Sequence, residues 1–238
     1  MVKLVTTFKY ALLSLLYLYS HNWLHVMAQS PKAGSTRFYD FKVQLLEVNK
    51  LCNTRNIVTI NQKYPGPVVY AQEDDRVIVK LTNESPYNAT IHWHGVRQIL
   101  SCWSDGPSYI TQCPVQPGQS FTYNFTLAGQ KGTLFWHAHF SWLRATVYGA
   151  LIVYPKKGVP YPFKQPYEEH IVILGEYWQQ DLVQLEKTVM ASGTAAPIAD
   201  AYTINGHPGP KYNCSANGKY ISNGNYKQSE RVKCHFRT

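Results

Sequence analysis

Short runs in which apolar and polar residues alternate recur from residue 38 to residue 154, separated by turns rich in proline and glycine. Such alternation is typical of β-strands with one buried face, because successive side chains point to opposite sides of a strand. The runs are also rich in tyrosine, valine, isoleucine and threonine, which favour strands. This spacing predicts an all-β chain folded as a Greek-key sandwich or barrel. The strand-like runs cover residues 39–45, 56–60, 76–81, 121–127 and 149–154.

The pattern changes after residue 154. The segment that follows is rich in proline, lysine and glycine, which is typical of a linker. A strand over residues 169–174 then opens a second β domain, followed by a short helix within residues 179–191 and by a strand and a turn at 201–206. After residue 215 we recognise no buried strand. The predicted segments are a first domain at 35–154, a linker at 155–166 and an incomplete second domain with an aberrant tail at 167–238.

The amino terminus has the three-part layout of a secretory signal peptide. Lys3 and Lys9 precede an apolar run over residues 11–19, and small residues follow near Ala28. A membrane anchor is the alternative, but the run is shorter than the roughly 20 apolar residues that span a bilayer. We therefore predict a signal peptide over residues 1–28 and a secreted, extracellular chain that is not bound to a membrane after cleavage.

Four Asn-x-Ser/Thr sequons follow the predicted signal peptide. A single sequon is a weak signal, whereas four behind a signal peptide favour surface loops that carry glycans. The predicted acceptors are Asn83, Asn88, Asn124 and Asn213.

The formal net charge of +9 raises the question of a nucleic-acid partner. Lysine and arginine do not cluster into a stripe, and a secreted chain rarely meets nucleic acid. We therefore predict no nucleic-acid partner. Attraction to an acidic extracellular matrix and an ordinary soluble surface are the two interpretations of the charge.

The chain has five cysteines, which is an odd number. In an oxidising compartment at least one of them has no partner within the chain. An exposed free thiol in a secreted protein favours a disulfide-linked dimer. The five are Cys52, Cys102, Cys113, Cys214 and Cys234.

Two His-x-His tripeptides, each beside a tryptophan, are the strongest chemical signal. They contain His92 and His94 in one case and His137 and His139 in the other. On a strand, residues i and i+2 point to the same face about 7 Å apart, so each pair suits two metal ions of a cluster. Two such pairs on neighbouring strands would aim four imidazoles at one space. Imidazole suits copper and zinc, and the chain has no Cys-x-x-Cys spacing of the kind that zinc sites often use.

The segments around these histidines form specific motifs, at residues 90–98, 103–107, 109–114, 135–146 and 200–206. Together they resemble plant laccases, which are multicopper oxidases, and the resemblance extends over about residues 37–215. It implies cupredoxin-like domains and a location in the apoplast. It also implies a type 1 copper that takes electrons from phenols and a trinuclear copper cluster that reduces O2 to water.

The resemblance also implies a role for each histidine. His92 would bind the type 2 copper, His94 and His137 one type 3 copper, and His139 the other, which is half of the family's ligand set. Asp105 matches an acid that helps to protonate oxygen near the cluster. A turn-forming aspartate before Gly-Pro is the equally simple alternative for Asp105.

Other features follow from the same resemblance. Cys52 and Cys214 correspond to a disulfide that joins the first two domains, and Cys113 would be left without its usual partner. Laccases prefer glycine at the positions of Gln62, Asp74 and Cys102. Because glycine usually allows a positive φ angle at such turns, we expect a positive φ angle at each of these three residues, at a cost of about 1 kcal/mol each.

In laccases the remaining histidines and the cysteine of the type 1 copper belong to a third domain, whose motifs we do not find in this sequence. We therefore expect a laccase-type oxidoreductase by family that is truncated and inactive alone. The alternative is a secreted, non-catalytic fragment that binds copper or a partner.

Overall fold

The computed structural model describes residues 34–209 together with Ser14 and Tyr17. Within residues 34–209 the chain forms ten β-strands, one α-helix and two short 3-10 helices. The strands are β1 (Thr36–Lys50), β2 (Asn53–Ile60), β3 (Val69–Gln72), β4 (Arg76–Asn83), β5 (Ile91–His94), β6 (Ser120–Thr126), β7 (Gly132–Ala138), β8 (Tyr148–Tyr154), β9 (Leu174–Tyr177) and β10 (Ala201–Ile204). The helix α1 spans Leu182–Ser192, and the 3-10 helices span Cys102–Ser104 and Ser141–Ala145.

The first eight strands form two four-stranded sheets around one shared core. One sheet has the order β2-β1-β4-β6 and the other β3-β8-β7-β5. β1 is parallel to β4 and β3 is parallel to β8, whereas the other neighbours are antiparallel. The five strand-like runs of the sequence coincide with β1, β2, β4, β6 and β8. The prediction of an all-β sandwich is therefore confirmed.

Large aromatic side chains fill the core between the sheets. Trp93 and Trp136 are both fully buried, and the Phe41 ring centroid lies 4.9 Å from that of Trp136. The indole of Trp136 is held between Gly66 and Gly149, where an added Cβ would lie 2.4 Å and 2.5 Å from ring atoms. Interiors are close-packed, so no larger side chain fits at either position without displacing the ring. Both tryptophans are therefore core aromatics.

A second unit follows the sandwich and contains β9, β10 and α1. β9 and β10 pair with each other in a separate antiparallel sheet. The carboxylate of Asp181 caps α1 by accepting hydrogen bonds from two backbone N–H groups of the first turn, and Gly193 ends it with a φ of 65°. Leu182 and Leu185 form the buried face of the helix. A cap of this kind contributes about 1 kcal/mol to helix stability.

Side-chain hydrogen bonds fasten this second unit to the sandwich. Arg55 of β2 donates from Nη1 to the carbonyl oxygen of Trp178 at 2.9 Å and to that of Gln180. The hydroxyl of Tyr87 donates to the carboxylate of Asp181 at 2.9 Å. The start of α1 is therefore tied to the sandwich at two points.

The predicted strand at residues 169–174 is wrong, because β9 begins only at Leu174. Instead of pairing with a strand, the backbone of this segment forms hydrogen bonds with the side chain of Asn205. Its Nδ2 donates to the carbonyl oxygen of Ile171 at 3.0 Å, and its Oδ1 accepts from the N–H of Ile173 at 2.8 Å. Backbone groups that a neighbouring strand would pair with are thus satisfied by one amide. The predicted helix and the last predicted strand correspond to α1 and β10.

Two of the three turn positions where laccases prefer glycine do have positive φ angles, 54° at Gln62 and 69° at Asp74. The expectation is wrong for Cys102, which begins a 3-10 helix. Asp74 is supported by its own carboxylate, which accepts a hydrogen bond from the N–H of Gly129 at 2.7 Å and pairs with Lys156. These contacts lower the pKa of Asp74, with the Lys156 hydrogen bond as the largest cause, and they offset the strain of the left-handed backbone.

Several sequence predictions fall outside the described residues. They are the signal peptide apart from Ser14 and Tyr17, the glycan at Asn213, the tail after residue 215 and the cysteine Cys214. Cys52 is disulfide-bonded. No helix in the described part of the chain combines the length and the apolar character that a bilayer crossing requires.

The predicted glycan at Asn83 does not fit the fold, because this side chain is fully buried. Nδ2, the atom that a glycan would occupy, donates to the carbonyl oxygens of Tyr87 at 2.7 Å and Val115 at 2.8 Å. Oδ1 accepts hydrogen bonds from the N–H and the hydroxyl of Ser85. Asn83 is therefore an internal hydrogen-bond bridge rather than a surface acceptor.

Replacement of Asn83 by alanine should lower the free energy of unfolding by about 2–3 kcal/mol, because buried carbonyl groups lose a donor. Denaturant-induced unfolding measures this loss. Asn88→Ala is the matched control, since Asn88 belongs to the next sequon and is partly exposed, and its effect should be within about 0.5 kcal/mol. Equal stability of both variants would contradict the internal role of Asn83.

Candidate metal centre

Both His-x-His motifs lie on neighbouring strands of one sheet. β5 carries His92 and His94, and β7 carries His137, with His139 directly after its last residue. The two strands are antiparallel, and His92 lies directly opposite His137. Because residues two apart on a strand share a face, all four imidazoles project from the outer side of the sheet, opposite the buried tryptophans.

The four rings converge on one space. The ring centroid of His92 lies 5.5 Å from that of His94, 5.4 Å from that of His137 and 5.5 Å from that of His139. One ring nitrogen from each of His92, His94 and His137 lies within 4.8 Å of the other two. The convergence that the sequence predicts is therefore confirmed, and the spacing is compatible with metal coordination.

A loop behind β5 fixes the orientation of His92. Its Nδ1 donates to the carbonyl oxygen of Asp105 at 2.8 Å, and the Asp105 carboxylate lies 3.4 Å from the same nitrogen. Since Nδ1 carries the proton, Nε2 has the free lone pair that a metal needs. Gly106 allows this contact, because its φ is 97° and an added Cβ would lie 1.7 Å from the carbonyl oxygen of Ile91.

His137 is held in its neutral form. Its Nδ1 donates to the carbonyl oxygen of Ala138 at 2.9 Å, and its Nε2 lies 3.3 Å from Nδ1 of His94. The pKa of His137 is lowered to about 4, mainly by burial and also by the neighbouring imidazoles, whereas the Ala138 contact opposes this change. A neutral imidazole is the form that binds a metal.

His139 is held by its backbone rather than by its ring. Its N–H donates to the carbonyl oxygen of Thr90 at 3.0 Å, and its own carbonyl oxygen accepts from the hydroxyl of Ser108 at 2.8 Å. Among the described residues we find no hydrogen-bond partner for its ring nitrogens, and it stands outside the group of three close nitrogen donors. The direction of this ring therefore depends on the local backbone.

The four imidazoles line a cleft of about 550 Å³, to which Ser141, Trp142, Arg144 and Glu186 also contribute. Glu186 belongs to α1, so the second unit forms part of the wall. His94 and His139 are exposed, which leaves the cleft open to solvent. The sequence did not indicate Glu186, because its place depends on how α1 packs. The other three lie in or next to a motif that the laccase resemblance already included.

The nitrogen donors that converge in the cleft are four imidazoles, a set that suits copper and zinc. The two free cysteines in the described part of the chain, Cys102 and Cys113, are exposed and do not line the cleft. The residues present therefore fit a metal bound through nitrogen.

Comparison with known proteins identifies the scaffold. Two family models, both described as multicopper oxidase, match residues 42–158 and 168–237. The chain belongs to the multicopper oxidase family. It is 62% identical to Laccase-6 of Arabidopsis thaliana over 197 residues, and this match covers 83% of this chain and 35% of that protein. With Laccase-4 of Oryza sativa subsp. japonica it shares 56% identity over 183 residues, or 77% of this chain and 32% of that protein.

The structural comparison agrees. The laccase of Botrytis aclada matches with a TM-score of 0.67 and 30% identity, over 80% of this chain and 34% of the other. The sandwich is thus the cupredoxin-like fold of multicopper oxidases, and this family implies copper as the metal. The chain spans about a third of the length of the curated relatives it matches.

The Gly106 contact gives a test of the copper site. Gly106→Ala must push the loop away from β5 and separate Asp105 from His92, so copper affinity should fall roughly tenfold. Gly118→Ala is the matched control, because Gly118 also has a positive φ of 79° but an added Cβ meets nothing within 4 Å. Competition with a copper chelator measures both affinities. The same affinity in both variants would contradict the role of the loop.

The low pKa of His137 predicts how pH affects the metal-free chain. Its folded pKa of about 4 lies below the ordinary value of 6.5, so the unfolded chain binds more protons between these values. Stability should therefore fall as pH drops from 6.5 to 4, and the ring nitrogens of His137 should titrate at the lower end of that range. Nitrogen-resolved NMR titration measures this directly, and a midpoint near 6.5 would refute the prediction.

Proposed function

We propose that the four imidazoles hold part of the copper cluster of a laccase-type oxidase, which takes single electrons from phenols and reduces O2 to water. The observation that carries this proposal is the convergence of His92, His94, His137 and His139 on one cleft. Similarity to laccases of Arabidopsis thaliana and Oryza sativa supports the reaction class. The proposal concerns the whole oxidase, of which this chain matches about a third.

In this proposal His94 and His137 bind one type 3 copper. The 3.3 Å between Nδ1 of His94 and Nε2 of His137 supports a shared ion. Two nitrogens bound to one ion at about 2.0 Å are separated by about 3 Å. His139, which stands outside the group of three close nitrogen donors, is the proposed ligand of the other type 3 copper. His92 is the proposed ligand of the type 2 copper.

Bound copper would supply the electron transfer, and the residues of the chain would hold the ions and handle protons. The carboxylate of Asp105 lies beside the ring of His92, and the Asp105 side chain is 27% exposed. We propose that it passes protons from solvent into the cleft during oxygen reduction. Its turn role is compatible with this, because the backbone N–H of Asp105 closes the 3-10 helix while the carboxylate lies beside His92.

Copper binding without turnover is the second candidate function. A phenol must give its electron to a copper bound by a cysteine thiolate, according to the laccase resemblance. Cys102 and Cys113, the free cysteines of the described region, do not line the cleft. This observation favours a non-catalytic copper-binding role for the described residues taken by themselves.

We propose that the protein acts outside the cell, in the apoplast. Asn88 and Asn124 are partly exposed and remain the proposed glycan acceptors in the described region. Cys102 and Cys113 are exposed, which supports a disulfide-linked dimer in an oxidising compartment. The proposed partner of Cys52 is Cys214.

Copper titration with electron paramagnetic resonance tests the site. The secreted chain should bind Cu2+ through several nitrogen ligands, and the double substitution His92→Ala with His137→Ala should abolish this signal. His170→Ala is the control, because this exposed histidine lies outside the cleft and contacts Glu168. Failure of the unmodified chain to bind copper would contradict both candidate functions.

Oxygen uptake with a methoxyphenol then separates the two functions. Uptake together with the intense blue absorption of thiolate-bound copper would support the oxidase. We expect copper binding without either signal from this chain alone, which would support the non-catalytic function.

A further inference from the structure

Glu186 is the only acidic residue among the described ones that lines the copper cleft. It projects from α1 of the second unit, and its Oε2 accepts a hydrogen bond from the hydroxyl of Ser141. It lies outside the sequence motifs that resemble laccases. The second unit therefore adds a carboxylate to a cleft whose other walls come from the sandwich.

Ser141 adopts an unusual backbone conformation two residues after His139. Its φ is 54°, in the left-handed region, which costs a non-glycine residue about 1–2 kcal/mol. Two side chains hold it in place. Glu186 accepts from its hydroxyl, and Nη1 of Arg144 donates to its carbonyl oxygen at 3.4 Å. The turn that follows His139 is thus fixed from both sides.

The orientation of His139 depends on the neighbouring backbone more than that of His92 or His137 does. The Nδ1 atoms of His92 and His137 each donate to a backbone carbonyl, whereas the ring of His139 has no such contact within the described residues. The backbone N–H and carbonyl oxygen of His139 are anchored. The remaining freedom of the ring is limited by the path of the chain through Ser141.

The helix that presents Glu186 is itself well anchored. Leu182 and Leu185 are buried, and Val183 packs against the core of the sandwich. Asp181 caps the helix and also accepts a hydrogen bond from Tyr87. A side chain on such a rigid element can fix its partner more closely than one on a loop.

The charge of Glu186 also suits this place. Besides Glu186, the cleft contains four imidazoles and the cationic Arg144, and copper ions add positive charge. A partly buried carboxylate on the wall lowers the electrostatic penalty of bringing these charges together, and it does so more strongly than in bulk water.

We propose that Glu186 is a positioning residue of the copper site: it holds Ser141, thereby directs His139, and offsets the charge of the bound metal. The copper affinity of the sandwich then depends on the docking of the second unit. This inference rests on the proposed function for the identity of the metal.

Three variants separate the two parts of this role. Glu186→Ala removes the hydrogen bond and the charge and should weaken Cu2+ binding roughly tenfold in chelator competition. Glu186→Gln keeps an acceptor for Ser141 and should preserve the paramagnetic resonance signature of the copper while lowering affinity by a smaller factor. Ser141→Ala keeps the charge and should alter that signature. Unchanged affinity and signature in Glu186→Ala would overturn the proposal.

Glu176→Gln is the matched control, because Glu176 is an exposed residue of β9 that does not line the cleft. It changes the net charge by the same amount as Glu186→Gln and should leave copper affinity unchanged. An equal loss in both glutamine variants would mean that the effect is general electrostatics, and the charge part of the proposal would fail.

Hydrogen exchange of the metal-free chain tests the positioning part without copper. Amides of residues 139–146 should exchange faster in Glu186→Ala than in the unmodified chain and in Glu176→Gln. Equal exchange in all three would refute the positioning role. If the unmodified chain binds no copper, the proposed function fails while this comparison still decides whether Glu186 holds the segment.

Discussion

The pairing of β5 with β7 is the interaction on which the rest of the site depends. On the inner face of this pair Trp93 lies opposite Trp136, and on the outer face His92 lies opposite His137. A shift of the strand register by one residue would place tryptophan side chains on the solvent-facing side of the sheet and histidine side chains in the core. The register is fixed from the apolar side, because Trp136 is wedged between two glycines and donates from Nε1 to the carbonyl oxygen of Pro67. A metal site is thus positioned by packing on the opposite face.

The sequence could predict this part because strand geometry is local. Alternation with a period of two identifies the strands, and the same period assigns His92 and His94 to one face. The place of Glu186 could not be read in this way, since it depends on how a later helix docks. The predicted glycan at Asn83 was wrong for a related reason. The sequon identifies a glycan acceptor, but in the folded chain the Asn83 amide hydrogen-bonds to buried backbone carbonyl groups. At residues 169–173 a side chain from Asn205 replaced the expected sheet partner.

The junction between the two units lies on the same sheet face as the histidines. Tyr148 of β8 is directly opposite His137 in the β7–β8 pairing, and its ring makes an edge contact with Tyr64 at 5.8 Å. Gly175 and Gly206 of the second unit lie against these tyrosines, where an added Cβ would come within 3.1 Å of Tyr148 and 2.9 Å of Tyr64. Burial at this junction raises the pKa of Tyr148. The second unit therefore covers one part of the outer face and leaves the histidine row open beside it.

This division gives the cleft a fixed part and an adjustable part. His92 and His137 have their protons assigned by backbone carbonyls, so their free nitrogens face the cleft before any metal arrives. Keeping His137 neutral also avoids a positive charge that would repel both the neighbouring rings and an incoming copper ion. His94 and His139 are exposed, and no backbone carbonyl within the described residues orients either ring. Copper binding then has to order only the exposed rings, because folding of the sandwich has already ordered the other two.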